Sequence, residues 1–568
     1  MGNAEKLTVY GDIKLISPYE IKQLNELKIV KKMNDHAVLH FTGIISEEKK
    51  DSYIEKATAQ DRIEVAQAAG GSTRTLFKGL VSNIAIRCVR GVYYIEAEGL
   101  SSTCLLDVRL IYRSFQNKSM LYGDVLNKVL EGYPGADFQD TASNGSKLDE
   151  FTVQYNETDW EFMKRMASRF GSVLTPQADT DSPKFWFGFP RGKEKSIPEE
   201  FHYTVRKDIF RYMDLSGNSR DDTEECEFTY FEVESGNYLD LGDKVKFKEK
   251  SLMVFKSTAV MKNGALKFEY ILAPENGMKQ GRISNSLITG ASIEGKVIDT
   301  EKDNVKVHLE IDKEQAKEGA CWFRYTTSYT AEGNSGWYCM PQIGDSVKLY
   351  FPANIEESAV VMSSVRKCGQ NHPKTAQPGI KYLQTNYGKH MKLGEKDLEF
   401  TAKENVMFIT LDEDKGVDIQ SSREITLYSE KNLEIDAKSI QIIANNESIG
   451  MTCNEKSSIV MDGEAHVKGT CVSVEGSLKS PMSLGDVFNM VKDTVMMPVQ
   501  AAMGVATMVS VLGSAAAEGT LGETSLAVAS SIPVVAGAIK VTGMDDEIQT
   551  NTMMESGKGK TGLRGVNA

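Results

Sequence analysis

Three carboxylates spaced two residues apart, Glu157, Asp159 and Glu161, flank Trp160 in the run Val153-Gln154-Tyr155-Asn156-Glu157-Thr158-Asp159-Trp160-Glu161-Phe162. Paired acids beside an aromatic ring could act as general acid and base. Their context points elsewhere. Thr158 with Glu161 three residues on is a capping box, and acids in a first helical turn are favoured by the dipole. They read as helix-start charges, with Trp160, Phe162, Met163 and Met166 as core. A second candidate, Gly557-Lys558-Gly559-Lys560-Thr561, imitates the end of a phosphate-binding loop. However, Met554 stands where the first Gly belongs and no helix can follow, so it reads as a tail. The third candidate is His466. In a threefold assembly three copies could meet on the axis and hold a metal, but a lone His is more commonly solvated or satisfied. The eight cysteines, at 88, 104, 226, 321, 339, 368, 453 and 471, show no CxxC or metal-finger spacing and read as reduced thiols of a cytoplasmic product. HExxH, GxSxG and a Cys/His pairing are missing from the sequence. No catalytic residue, metal or cofactor is expected, and the chain is not read as an enzyme.

The elements around these residues are mostly strands, and the most regular stretch runs from Val406 to Val474. Apolar residues recur two apart as Val406/Phe408, Val417/Ile419, Ile425/Leu427, Leu433/Ile435, Ile440/Ile442, Ile449/Met451, Ile459/Met461 and Val472/Val474. Period two means each rung buries one face, and a narrow ribbon has nothing of its own to bury it against. Winding several copies together closes such a core, so the expectation is a trimeric β-helical shaft; a meander or flat sheet inside an ordinary domain is the alternative. At 568 residues the chain needs several domains, and its net charge of −13, with no basic cluster, argues against a nucleic-acid partner. The N-terminal residues, charged at Glu5, Lys6, Asp12 and Lys14, show no Sec signal, and Lys6 excludes N-myristoylation.

In chain order, strands are expected at Leu27 to Val30, Ala37 to Ile45, Ile63 to Ala66, Leu76 to Ile86 and Val92 to Ala97, with turns at Asn34-Asp35 and Gly70-Gly71. Helical spacing follows at Ser119 to Glu131, with Leu121, Val125, Leu126 and Val129 on one side, and at Thr158 to Phe170. From Phe201 to Pro274 the pattern returns to strands and suggests a second barrel, joined to the first through the two helices. Five short strands in the stretch from Ile288 to Val365 suit an OB-type barrel. After a linker, the shaft ends in a tail rich in Ala, Gly and Met. Its uncharged runs Thr494 to Ala517 and Thr524 to Ile539 suggest a helical hairpin, read either as packing at a tip or as a membrane-active segment. Pro498 and Pro533 interrupt those runs.

The run Phe77-Lys78-Gly79-Leu80-Val81, the string Arg113-Ser114-Phe115-Gln116-Asn117-Lys118-Ser119 and the Gln154-Tyr155-Asn156-Glu157-x-Asp159-Trp160-x-Phe162 run resemble the two-barrel hub of the VgrG family. That family comprises type VI secretion spikes, hub and spike proteins of contractile phage tails, and tailocin relatives. The stretch around Pro341, Gly344, Asp345 and Val347 is similar to the family's OB module. The His-x-His pairing of some spike tips is absent, and the Val-x-Gly octads of some shafts are only loosely present. The linker, about 25 residues long, has no room for the lysozyme domain that some phage members carry there.

The resemblance implies a mainly β protein divided as first hub barrel 1–100, α/β insertion 101–200, second hub barrel 201–285, OB barrel 286–366, linker 367–392, shaft 393–476 and helical extension 477–568. Ile425, Leu427, Leu433, Ile435, Ile440, Ile442, Ile449, Ile459, Val472 and Val474 would form the trimer core. The implied function is a homotrimeric spike at the tip of the inner tube of a contractile injection machine. Its partners would be an Hcp-like tube protein, baseplate components, a PAAR-like tip protein or effector, and the target membrane through the tail. The alternatives are a spike whose tail docks cargo or enters membrane, or a trimeric β-helical adhesin or tail fibre.

Overall fold

β-Branched and aromatic residues at alternate positions make strands wherever one face can be covered. In Asp35–Ile44, for example, Ala37, Leu39 and Phe41 are fully buried while Val38 and His40 between them are half-buried. The computed structural model describes residues 8–69, 72–197, 202–218, 224–331, 335–367, 374, 376–446, 448–453, 456–461 and 463–473, in two units, 1–368 and 369–568.

The first unit is built on a 13-stranded sheet. Its path runs Tyr203–Lys207, Thr229–Ser235, Ala265–Ala273, Lys250–Lys262, Gln23–Lys32, Asp35–Ile44, Val92–Ser101, Ser72–Val89, Arg62–Ala69 and Ile13–Ile16. The two strand sets expected as separate barrels joined by helices are therefore joined edge to edge. Lys28 to Lys32 pair antiparallel with Val260 to Lys256, and one apolar core runs from Phe41 and Phe77 to Phe247 and Phe268. A strand in the middle of a chain has two edges, and this pairing leaves neither unsatisfied at the seam.

Between these sets lies an insertion whose helices follow their apolar spacing. Tyr122–Leu130 buries Tyr122, Val125, Leu126 and Val129, whereas Leu121, expected on that face, precedes the helix and is exposed. Asp159–Ser168 starts at the expected cap: Thr158 Oγ1 accepts the Glu161 amide at 3.1 Å and Glu161 Oε2 accepts the Thr158 amide at 3.2 Å. Two helices occupy stretches where only strands were expected, Lys50–Lys56 and Ile209–Asn218. The second begins at Asp208, whose Oδ1 accepts the Arg211 amide at 3.0 Å, a capping signal three residues long that strand alternation obscures. Ser292–Glu301, Asn304–Leu309, Trp322–Tyr325, Val360–Ser364 and Ser346–Tyr350 close a five-stranded barrel, the expected OB architecture.

In the second unit the strands form two antiparallel meanders. One holds Lys381–Gln384, His390–Leu393, Asp397–Lys403, Met407–Asp412 and Gly416–Gln420; the other holds Ile449–Cys453, Ser457–Met461 and Ala465–Lys468. Residues 421–446 contain no strand among the described residues, so the Ile425/Leu427, Leu433/Ile435 and Ile440/Ile442 rungs are unpaired here, with exposures from 43% at Ile435 to 62% at Ile442. In one copy of the chain these rungs meet no second edge to hydrogen-bond with. Val474, Gly70-Gly71 and the extension 477–568 lie outside the described residues. No helix among the described residues is long and apolar enough to cross a membrane.

Candidate functional site

The stretches that carried the resemblance meet where the insertion touches the OB barrel. Period two along Ile111–Phe115 and the residues after it sends alternate side chains to opposite neighbours. Ser114, Gln116 and Lys118 reach the barrel. The Ser114 amide donates to Asp312 Oδ1 at 2.7 Å, Gln116 Nε2 to the Val307 carbonyl at 2.9 Å, and Lys118 Nζ to Glu357 at 3.0 Å. Arg113 and Phe115 turn the other way, Phe115 stacking on Phe162 with centroids 5.7 Å apart.

Strand Thr152–Glu157 pairs with this one, and its register shifts at Asn156, the bulge residue, whose φ of 51° is left-handed. Tyr112 Oη holds that residue by donating to Asn156 Oδ1 at 2.8 Å, and Tyr155 packs edge-on against Tyr112. The bulge brings Glu157 and Asp159 inward on either side of Thr158. Gln154 is completely buried: its Oε1 accepts Arg113 Nε at 2.7 Å and its Nε2 donates to Asp159 Oδ1 at 3.0 Å. Asp159 also accepts Tyr133 Oη at 2.7 Å and pairs with Arg113. Trp160 donates its indole N–H to the Asn34 carbonyl at 3.0 Å, tying the helix to the first hairpin.

Glu157 is the insertion's end of a buried ionic chain. Arg165, 3% exposed, donates to Glu157 at 3.1 Å, to Glu356 of the OB barrel at 3.2 Å and to the Val153 carbonyl at 2.7 Å. Arg169 completes Glu356 at 2.8 Å, and Glu356 Oε1 accepts the Val153 amide at 2.7 Å. Burial raises the Glu157 carboxyl above its ordinary range against the pull of Arg165, while burial opposes the Arg165 charge and its two carboxylates more than restore it. All three acids of the run are thus committed to internal partners, and none faces a cavity with a free oxygen set for proton transfer. Glu356 was not found from the sequence, because a single acid in the short turn Glu356–Ser358 carries no periodicity to mark its burial.

A Thr-His-Asp arrangement also occurs. His36 Nδ1 lies 2.8 Å from Thr103 Oγ1 and Nε2 lies 3.2 Å from Asp107 Oδ2. Thr103 is 0% exposed, so no substrate reaches it, and the trio ties the hairpin to the helix cap through Thr158 and Asp107. In the OB motif, Pro341 and Val347 are buried and Gly344 has a φ of 96°. Asp345 Oδ2 accepts the Gln342 amide at 2.8 Å, making a turn that leads into the barrel strand. Ile449 is half-buried, Ile459 and Val472 are exposed, and His466 lies on the exposed strand Ala465–Lys468. No group of three potential metal ligands occurs among the described residues.

Two family models match this chain. One, the phage tail baseplate hub, matches residues 49–183, and the other, the type VI secretion system/phage-baseplate injector OB domain, matches residues 293–365. The chain thus carries one segment that matches a phage tail baseplate hub and a second that matches an injector OB domain. The junction just described lies between the two matched segments. Solved structures give further likenesses. A component of the E. coli type VI secretion system, described as similar to bacteriophage tail proteins, is 14% identical, with 62% of this chain and 100% of that one covered at a TM-score of 0.45. The half-lidded Francisella PdpA-VgrG complex is 9% identical, covering 72% and 87%, at 0.46. The 43 kDa tail protein of prophage MuSo2 from Shewanella oneidensis is 11% identical, covering 47% and 99%, at 0.38. Comparison with curated proteins gives no match.

Proposed function

We propose that three copies of this chain form the hub and spike at the tip of the inner tube of a contractile injection machine, a non-enzymatic part that is driven through a target envelope. The observation that carries this reading is one face of the five-stranded meander. Register places Leu383, Met391, Phe400, Ile409 and Ile419 in one cross-strand row, and Leu393, Leu398, Leu411 and Val417 in a second row on the same face. Among these nine, Phe400, Ile409, Leu411, Val417 and Ile419 are 42–52% exposed. Their opposite numbers in the first unit, such as Leu39 and Phe41, are 0% exposed. Covering the remaining half of nine such side chains is worth roughly 10 kcal/mol per chain. Two further copies supply that cover symmetrically, and they also bring strand edges to the unpaired rungs between Ile425 and Ile442.

In this reading the hub meets an Hcp-like tube protein and baseplate components, and the shaft carries a PAAR-like tip protein or effector. Light scattering on the full chain tests it: the expected mass is three chains. The variant Ile409→Glu with Ile419→Glu should lose that mass while the melting of the first unit stays unchanged. A monomeric full chain at micromolar concentration, or a variant that still trimerises, overturns the reading.

A further inference from the structure

We infer that a pocket at the seam of the two hub strand sets binds an acidic segment of a partner protein. The cavity holds about 350 Å³ and lies between the end of the seam strand Gln23–Lys32, at Lys31, and the insertion. Three cations converge on one ring there: Arg74 lies 4.6 Å, Lys31 5.3 Å and Lys195 5.9 Å from the centre of Tyr238. Two of the three are already neutralised. Lys31 donates to Tyr238 Oη at 3.0 Å and pairs with Asp240 at 3.4 Å, and Lys195 pairs with Asp243 at 2.6 Å.

The rest of the lining is not balanced. Among the described residues Arg74 lies over the ring without an ion pair, and Arg191 and Lys193 are exposed and likewise without one; Asp179 is the acid left beside them. Once the internal pairs are set aside, the pocket keeps two positive charges on a chain whose total is −13. A concave cationic spot on an acidic surface focuses negative partners toward itself.

The remaining lining decides what kind of anion fits. Pro176, Trp186, Pro190 and Leu241 lie among the charges. Apolar rings next to unpaired guanidinium groups suit a peptide that alternates carboxylate and apolar side chains, and an inorganic anion would leave those rings without a partner. A nucleic acid would bring its whole phosphate backbone against an acidic chain. Unlike the trimer face, this pocket lies in the first unit and does not need the shaft reading to hold.

The experiment is fluorescence anisotropy on the full chain with a dye-labelled peptide of alternating Glu and Ala, at about 20 and about 200 mM salt. Binding should weaken with salt, and Arg74→Ala with Arg191→Ala should lower affinity about tenfold while leaving the melting temperature alone, since both side chains are exposed. Lys193→Ala should act in the same direction. Equal affinity of wild type and double variant overturns the proposal, as does equal binding of an alternating Lys and Ala peptide. Displacement by millimolar inorganic phosphate alone would make this a small-anion site, and tighter capture of a thymidine oligonucleotide would make it a nucleic-acid site; either result also overturns it.

Discussion

Replacing Arg165 with Met tests whether the buried ionic chain is what holds the OB barrel on the insertion. Arg165 is 3% exposed and is the cation between Glu157 and Glu356. Methionine matches its stem but leaves Glu157 buried without a counter-charge, which costs about 3–5 kcal/mol. With an unfolding entropy of roughly 2.1 cal/mol/K per residue, cooperative melting of residues 1–368 carries about 0.8 kcal/mol/K, so the melting temperature should fall by about 4–6 °C. Adding Glu157→Gln removes the stranded charge and should recover at least about 1 kcal/mol. The pH dependence has a definite sign. Burial already raises the Glu157 carboxyl, and without Arg165 it rises further. A carboxyl raised in the folded state holds its proton more tightly there than when unfolded, so stability falls as pH climbs from the unfolded value through the folded one. The deficit of Arg165→Met should therefore widen between about pH 5 and pH 8. Differential scanning calorimetry across that range is the assay. A loss under about 1 °C, or a deficit that is flat with pH, would refute the argument.

Four further outcomes follow from single positions. A Cβ on Gly79 would lie 2.1 Å from the Leu100 carbonyl oxygen, so Gly79→Ala should cost about 1–3 kcal/mol in denaturant titration. Gly123, inside helix Tyr122–Leu130, has open space around it, and Gly123→Ala should instead add about 0.5–1 kcal/mol. Asp107 is held below its ordinary range by His36 and Thr158 against burial, so its contribution is present above the unfolded carboxyl value and is lost as pH falls through the folded one. Asp107→Asn should flatten acid unfolding below about pH 4. Burial pushes the Cys321 thiol up to about 11. Peptide mapping after maleimide treatment near neutral pH should find exposed Cys88 and Cys339 modified and Cys321 intact.

Local rules made part of this molecule readable. Thr158 and Glu161 mark a helix start with two reciprocal hydrogen bonds that need no distant partner, and the start is where they put it. Alternation in the OB stretch likewise needs a covered face and nothing more. What local rules could not reach was the identity of the cover. Lys31 continues the core-facing phase of Leu27 and Ile29 with a charge that patterning alone would send to solvent, and Tyr238 and Asp240, more than 200 residues on, are what bury it. The seam itself is a choice between edges that hydrophobic patterning does not encode, and Asn156 becomes a bulge because of the register of its partner strand. In the second unit the apolar period is as clear as anywhere, but from Ile425 to Ile442 the strands it suggests are not formed in one chain. A period identifies a face and leaves the covering partner open.

The two kinds of contact in this molecule suit different tasks. An apolar face such as that of Phe400 and Ile409 is strong but non-directional, and a slide by one residue along it costs little until strand edges are also paired. The Glu157-Arg165-Glu356 chain is the reverse: its desolvation cost offsets much of its attraction, so its net contribution to stability is small compared with the loss on breaking it. Its donors and acceptors are satisfied in one orientation of the OB barrel on the insertion, because the same carboxylate of Glu356 must meet Arg165, Arg169 and the Val153 amide together. For a part proposed to transmit an axial load, that arrangement resists rotation at the junction more than an apolar interface of equal area would. The double variant Arg165→Met with Glu157→Gln separates the two properties. Its melting temperature should rise by the part of the loss that the stranded charge causes, while amide exchange in strand Thr152–Glu157 should stay faster than in the native chain. Exchange restored to the native rate would mean that packing alone sets the angle, and the ionic chain would then have no orienting role.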